Sequence, residues 1–323
     1  MKKSLVALAV LAASGAAMAQ SAVTLYGIAD IWVGSTKTNS VRTTVMESGG
    51  VSGSRWGIKG AEDLGGGLKA IFTLEQGVAL DTGVASGFNR EASVGFSGGF
   101  GEVKLGRVWT ALDDVSGASN SVFDSALAAT SNVFKSGGFT ANPNNGIRYT
   151  SPSFGGFSGA VSYSLDEKSA AANTTQATAF NVQYANGPLA AQLGYQTEEA
   201  FGATKSDDYL RLGATYDFGV ATAKFSYGTV DYAAGDEVAE YQIGVDVPLS
   251  AAMTLSAGYA NSETETSAGA KVTERDGFGI AVAYSLSKRT TVYGGFHRST
   301  EDNAAGVELT KNSIYAVGIK HTF

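Results

Sequence analysis

The chain has no cysteine, four prolines in 323 residues and only two histidines, His297 and His321. Without thiols it has no disulfide framework and no zinc–thiolate site. Neither histidine sits in a His-Glu-x-x-His pair, and no serine occupies a Gly-x-Ser-x-Gly elbow. No catalytic residue, metal or cofactor is therefore expected. Acids outnumber bases, 30 to 23, for a net charge of −7, which argues against a nucleic-acid partner. Beyond the first nineteen residues no apolar run approaches the eighteen needed for a transmembrane helix.

What is present begins with "MKKSLVALAVLAASGAAMA": two lysines, a short apolar run, and the small-residue site Ala17-Met18-Ala19. That order predicts a cleaved export signal over 1–19 and a single domain over 20–323. Glycine is abundant, at 42 residues, which suits sheets with tight turns and curvature. The apolar residues, 44% of the chain, are dispersed rather than gathered.

They are dispersed with period two. In "FNVQY", Phe180, Val182 and Tyr184 oppose Asn181 and Gln183. In "EYQIGVDV", Tyr241, Ile243, Val245 and Val247 oppose Gln242 and Asp246. In "GFGIAVAYSL", Phe278, Ile280, Val282 and Tyr284 face away from small residues only. A soluble sandwich alternates too. The polar face here, however, is mostly Ser, Thr, Gln, Gly and Ala, and tyrosines fall near strand ends, as in a membrane barrel with a wet lumen. Short turns recur near Leu64, Gly99, Gly155, Gly187, Gly219, Leu249 and Ser287. Between them lie polar stretches such as "TEEAFGATKSDD" and "NSETETSAGAKVTERD", expected as long loops at the opposite rim. Seven turns pair fourteen strands, and the first and last segments make sixteen. That number is compatible with an aqueous channel. One interval between turns, from Gly99 to Gly155, is far longer than the others.

Several stretches together are similar to the general diffusion porins of Gram-negative bacteria, in particular those of β-proteobacteria: "VTLYGIAD", "SRWGIKGAEDLGGGLKAIFTLE", "NREASVGFSGGFGEVKLGR", "GIRYTSPSFGGFSGAVSYS" and a terminal phenylalanine. The resemblance implies an all-β, 16-stranded antiparallel transmembrane β-barrel in the outer membrane. It implies a homotrimer amid outer-membrane lipid and an inward-folded third loop, here about 110–142. Small hydrophilic solutes and ions would diffuse through it. Val122, Phe123, Leu127, Val133 and Phe134 give that loop apolar surface for packing on an inner wall. The Pro-Glu-Phe-Gly-Gly pattern of many enterobacterial third loops is absent.

By the same resemblance, basic residues on the wall, Arg55, Arg90 and Arg148, face acids on the loop, Asp113, Asp114 and Asp124. Parity independently turns Arg55, Lys59 and Arg148 inward, opposite Trp56, Ile58, Ile147 and Tyr149. Arg90 shares parity with Ala92, Val94 and Phe96, so it would need a bulge or a neighbouring subunit. Arg107, in phase with Val103, Leu105 and Trp109, is expected outward, either at a subunit contact or at the rim. Lys59, Arg211 and Lys224 add positive charge to the lumen, which leans the expected preference toward anions. Tyr315, Val317, Ile319 and Phe323 line one face of the last strand and resemble the signal read by the barrel-assembly machinery. The alternatives are a soluble exported adhesin and a substrate-specific outer-membrane channel for a small anion or sugar. The latter would need a row of inward aromatics. Tyr209 is one, while Val292/Phe296 and Tyr293/His297 leave one strand's facing open.

Overall fold

The computed structural model describes residues 22–165, 175–200 and 204–323; the export signal expected over 1–19 lies outside them. Seventeen strand segments form one antiparallel sheet. The first six are β1 (Ala22–Thr38), β2 (Val41–Ser48), β3 (Arg55–Gly65), β4 (Leu68–Gly77), β5 (Glu91–Gly98) and β6 (Gly101–Arg107). After a long irregular stretch come β7 (Gly146–Thr150), β8 (Phe157–Ser164), β9 (Thr175–Asn186), β10 (Leu189–Ala200), β11 (Asp207–Asp217) and β12 (Thr222–Asp231). The series ends with β13 (Asp236–Pro248), β14 (Met253–Thr266), β15 (Lys271–Ser285), β16 (Thr290–Asn303) and β17 (Glu308–Thr322).

β2 and β3 both pair with β1, one along its second half and one along its first. They are two parts of one wall strand, so the barrel has sixteen staves. It closes where β1 meets β17, with Ile31 opposite Ile319 and Thr38 opposite Asn312. The backbones of Gly27 and Phe323 complete the seam with reciprocal 3.1 Å hydrogen bonds. Closure leaves no unpaired edge, the condition for a sheet to sit in hydrocarbon.

The hydrophobic residues lie outside. Val161, Phe180, Val182, Ile243, Phe278 and Val317 are exposed, while the strand neighbours Ser162, Asn181 and Gln242 of the first four are buried. An apolar outer band around a polar interior lets lipid supply the contacts that a protein core supplies elsewhere. Tyr315, Val317, Ile319 and Phe323 all belong to this outer face. β16 is also resolved: Tyr293 and His297 point inward and are buried, with Phe296 outward against Tyr315 at 4.7 Å.

All seven expected turns separate consecutive strands. The long polar stretches differ from expectation. "NSETETSAGAKVTERD" is strand up to Thr266 and again from Lys271, leaving a four-residue turn. In "TEEAFGATKSDD" strand runs to Ala200 and resumes at Asp207, with 201–203 outside the described residues. Beyond the apolar band a strand needs no lipid face, so it can be polar on both sides and still keep its ladder.

Candidate functional site

Among the described residues, two off-strand segments bond to the polar inner face and concern the site. The longer is 108–145, between β6 and β7, which carries the short helix α1 (Asp113–Ser116) and a 3₁₀ turn at Val122–Asp124. The shorter is 49–54, between β2 and β3. Both bond to residues of the polar face.

The start of the long segment is fixed by polar wall residues. Ala111 N–H donates to Ser162 Oγ at 2.9 Å, and Asn181 Nδ2 donates to Ala111 O at 2.5 Å. Leu112 and Val115 pack among Ala160, Ala179 and Tyr209. α1 is thereby held with its two aspartates toward the arginines. Arg148 Nη2 meets Asp114 Oδ2 at 2.5 Å, and its Nη1 donates to the carbonyls of Trp109 and Thr110. Asn181 Nδ2 also donates to Asp114, at 2.9 Å. Asp113 makes no ion pair among the described residues. Burial, then the neighbouring Asp114 charge, push its carboxyl up to about 6 against the pull of Arg148 and Arg90.

These groups line a recess of about 580 Å³. Arg55, Arg90 and Arg148 are all in it, and so are Asp113 and Asp114. Of the three arginines, Arg148 alone is ion-paired with an acid of the long segment among the described residues. Arg55 and Arg90 are instead tied to a wall glutamate, Glu75, at 3.7 and 2.7 Å. Glu75 is in register with Gly57 and Glu91 and so faces inward on β4. Tyr26 Oη donates to the same carboxylate at 3.0 Å. Lys104 lies between Glu91 and Glu102, at 3.2 Å from each.

Arg90 escapes the parity argument because it precedes β5, whose ladder begins at Glu91. Off the ladder, its guanidinium stacks over Trp109 at 4.8 Å. Such a contact contributes roughly 0.5–1 kcal/mol at an exposed site. Lys59 does face inward but lies four residues along β3 from Arg55, about 13 Å away. It does not line the recess and sits over the Tyr26 ring at 5.0 Å. Asp124 is also outside the recess, where Asn120 Nδ2 donates to it at 2.7 Å. Arg107 closes β6 and is engaged within the chain. Its Nε donates to Asn89 O at 2.6 Å and its Nη1 to Asn144 Oδ1 at 2.5 Å.

The rest of the long segment lies flat on β11–β15. Ser121 N–H donates to Gln242 Oε1 at 2.5 Å, and Val122 N–H to Ser256 Oγ at 2.7 Å. Glu240 accepts the N–H groups of Lys135 and Ser136, at 2.7 and 3.0 Å. Arg211, 3.7 Å from Glu240, donates to Ser136 Oγ and Asn120 Oδ1. Neither Arg211 nor Lys224 is a free lumen cation, since Lys224 meets Asp246 at 2.7 Å. Glycines make this berth possible. A Cβ at Gly279 would lie 2.1 Å from Leu127 O, and one at Gly277 2.2 Å from Ala129 O.

Sequence reading missed Glu75, Glu91, Lys104, Glu240 and the 49–54 break. Glu75 and Glu240 were within reach of parity, since they alternate with Leu74 and Tyr241. The break had no periodic signal.

The family model described as Gram-negative porin matches residues 4–304. The chain is 43% identical over 242 residues to outer membrane porin protein 32 of Delftia acidovorans, covering 68% of this chain and 67% of that one. It is 35% identical over 234 residues to the major outer membrane protein P.IB of Neisseria meningitidis, covering 67% of each. Among solved structures, the anion-selective porin from Comamonas acidovorans superposes with a TM-score of 0.79 at 27% identity, over 94% of this chain and 100% of that one. OmpT of Vibrio cholerae, at 18% identity and a TM-score of 0.73, shares the fold, over 94% of this chain and 98% of that one.

Proposed function

The chain belongs to the Gram-negative porin family and forms an outer-membrane diffusion channel, and from that premise we propose how it sorts what passes. The segment 108–145 narrows the lumen, and small hydrophilic solutes and ions cross beside the recess with a mild preference for anions. One observation carries this reading: wall arginines and α1 aspartates converge on a single polar recess. Four bases, Arg55, Arg90, Lys104 and Arg148, face five acids, Glu75, Glu91, Glu102, Asp113 and Asp114, across the recess. Asp113, pushed up to about 6, holds its charge weakly, so the local balance is close to neutral and the sign rests on the anion-selective relative. Fixed charge counts for more beside low-dielectric walls than in bulk water. The anion-selective porin from Comamonas acidovorans, at 27% identity, supports the same sign.

General diffusion is favoured over a dedicated sugar or anion channel because the inward aromatics form no open row: the Tyr26 and Trp109 rings are taken up by Lys59 and Arg90. Tyr209 is covered by Phe139, and Tyr293 is buried against the wall. The proposal includes a signal over 1–19 removed on export and a homotrimer in outer-membrane lipid. It also assigns Tyr315, Val317, Ile319 and Phe323 as the assembly signal of the last strand, and Arg107 to a subunit contact. Catalysis is not part of it: His297 is fully buried, and the His321 ring has one side-chain partner among the described residues, Thr290, at 2.9 Å.

The test is reconstitution of the refolded protein in planar bilayers under a salt gradient. Large stepwise conductances with an anion-side reversal potential are expected. Correctly folded, inserted protein that passes no current would overturn the reading.

A further inference from the structure

Among the inward residues that the motif "VTLYGIAD" supplies to the barrel are Tyr26 and Asp30. Tyr26 is accounted for, since it donates to the glutamate that ties Arg55 and Arg90. Asp30 is not. It is fully buried on β1, contacts no solute path, and has no ion-pair partner among the described residues.

Its carboxylate is nonetheless filled. Oδ2 accepts the N–H groups of Val51 and Ser52, at 3.0 and 2.8 Å. Oδ1 accepts the N–H of Gly50 at 3.1 Å and the phenol of Tyr293 at 2.5 Å. Four donors saturate a carboxylate. Three of them are successive amides of the break between β2 and β3, so Asp30 folds that break inward around itself. Ser54, the last residue before the ladder resumes at Arg55, ties back as well: its Oγ donates to Asp30 O at 2.8 Å and accepts the Asp30 N–H at 3.0 Å. Gly50 is required at the centre, because a Cβ there would lie 2.0 Å from the Tyr293 hydroxyl.

The break then reaches both sides of the constriction. Gly50 O accepts the N–H of Ala126, in the long segment, at 2.9 Å. At its other end, Gly53 O accepts from Arg55 Nη1 at 3.1 Å. One buried carboxylate thus sets the height of the long segment and the aim of a wall arginine at once.

We propose that Asp30 is a positioning residue for ion selectivity, acting through the 49–54 break on Arg55 and on the segment at Ala126. This inference rests on the channel reading above. A neutral amide at position 30 turns a donor toward backbone N–H groups, and a buried donor without an acceptor is costly. The break would shift and loosen both of its attachments.

The experiment compares the full chain with Asp30→Asn and Tyr293→Phe variants in planar bilayers, alongside thermal unfolding of the refolded protein. For Asp30→Asn the anion-over-cation permeability ratio should fall on the order of two-fold, as for a fixed charge displaced within a Debye length of the ion path. Open-channel current noise should rise with it. Tyr293→Phe removes one donor of four and should shift both readings the same way, by less. If Asp30→Asn does not fold, Tyr293→Phe alone decides. Variants that melt earlier yet keep the parental reversal potential and noise would reduce Asp30 to a structural role and overturn the proposal. A parent chain without conductance would instead sink the channel reading itself.

Discussion

Arg148–Asp114 and Arg211–Glu240 are both arginine–carboxylate pairs that hold the 108–145 segment, but they lie in different surroundings. The first has its atoms at 2.5 Å and side chains 13% and 25% exposed, at the edge of the recess. The second is spaced at 3.7 Å with side chains 4% and 0% exposed, between segment and wall. A partly wet pair contributes little to stability, up to about 1 kcal/mol, yet its charges remain within reach of passing ions. A sealed pair cannot act on ions, and removing one partner leaves the other stranded at a cost of roughly 3–5 kcal/mol. The same chemistry is partly open to water at one place and sealed as an attachment at the other, and under the proposed function only the open pair bears on selectivity.

The largest effect should come from attacking the berth on which the sealed pair depends. Gly279→Leu places a side chain where Leu127 O and Ala129 N now lie, so the segment cannot seat. Single-channel records should show an altered conductance and frequent closures, and parental traces would refute the tight seating. A paired comparison comes next. Glu240→Ala should loosen the segment and lower the unfolding temperature. Asp114→Ala should leave that temperature nearly unchanged and move the reversal potential further to the anion side. If the two variants exchanged these effects, the distinction between the pairs would fail.

The smallest effect concerns Asp113, which lies in the segment and outside the membrane-spanning strands. Because its carboxyl is pushed up to about 6, lowering the pH from 7 to 5 protonates it and removes one negative charge from the recess. Anion preference should rise over that window. Asp113→Asn should show the acid value at both ends, and a pH dependence that survived the substitution would assign the titration elsewhere.

Parity located Arg55 and Arg148 because a residue on the ladder has only two directions to face. It could not locate Arg90, which stands one residue before its ladder and turns by its own backbone onto Trp109. Nor could it separate Lys59 from Arg55, since two residues on one face may still be a full strand-layer apart. Gln242 reads in the sequence as an ordinary polar-face residue, and Glu240, two residues before it, carries no signal that sets it apart. Their partners are amides more than a hundred residues away in the chain, which no local pattern encodes.

The sequence alone determined a sheet with one apolar and one polar face through its period-two alternation, and its small-residue polar face and regular short turns pointed to a barrel that lipid can surround. It also determined where regularity stops. What the stretch 108–145 does after it leaves the wall was decided only by the closed barrel. Closure brings Gly277 and Gly279 of β15, the carboxylate of Glu240 and the break at 49–54 to one inner surface. The reason is physical: alternation is a property of neighbours in the chain, whereas seating that segment depends on backbone groups whose partners become neighbours only when the last strand pairs with the first.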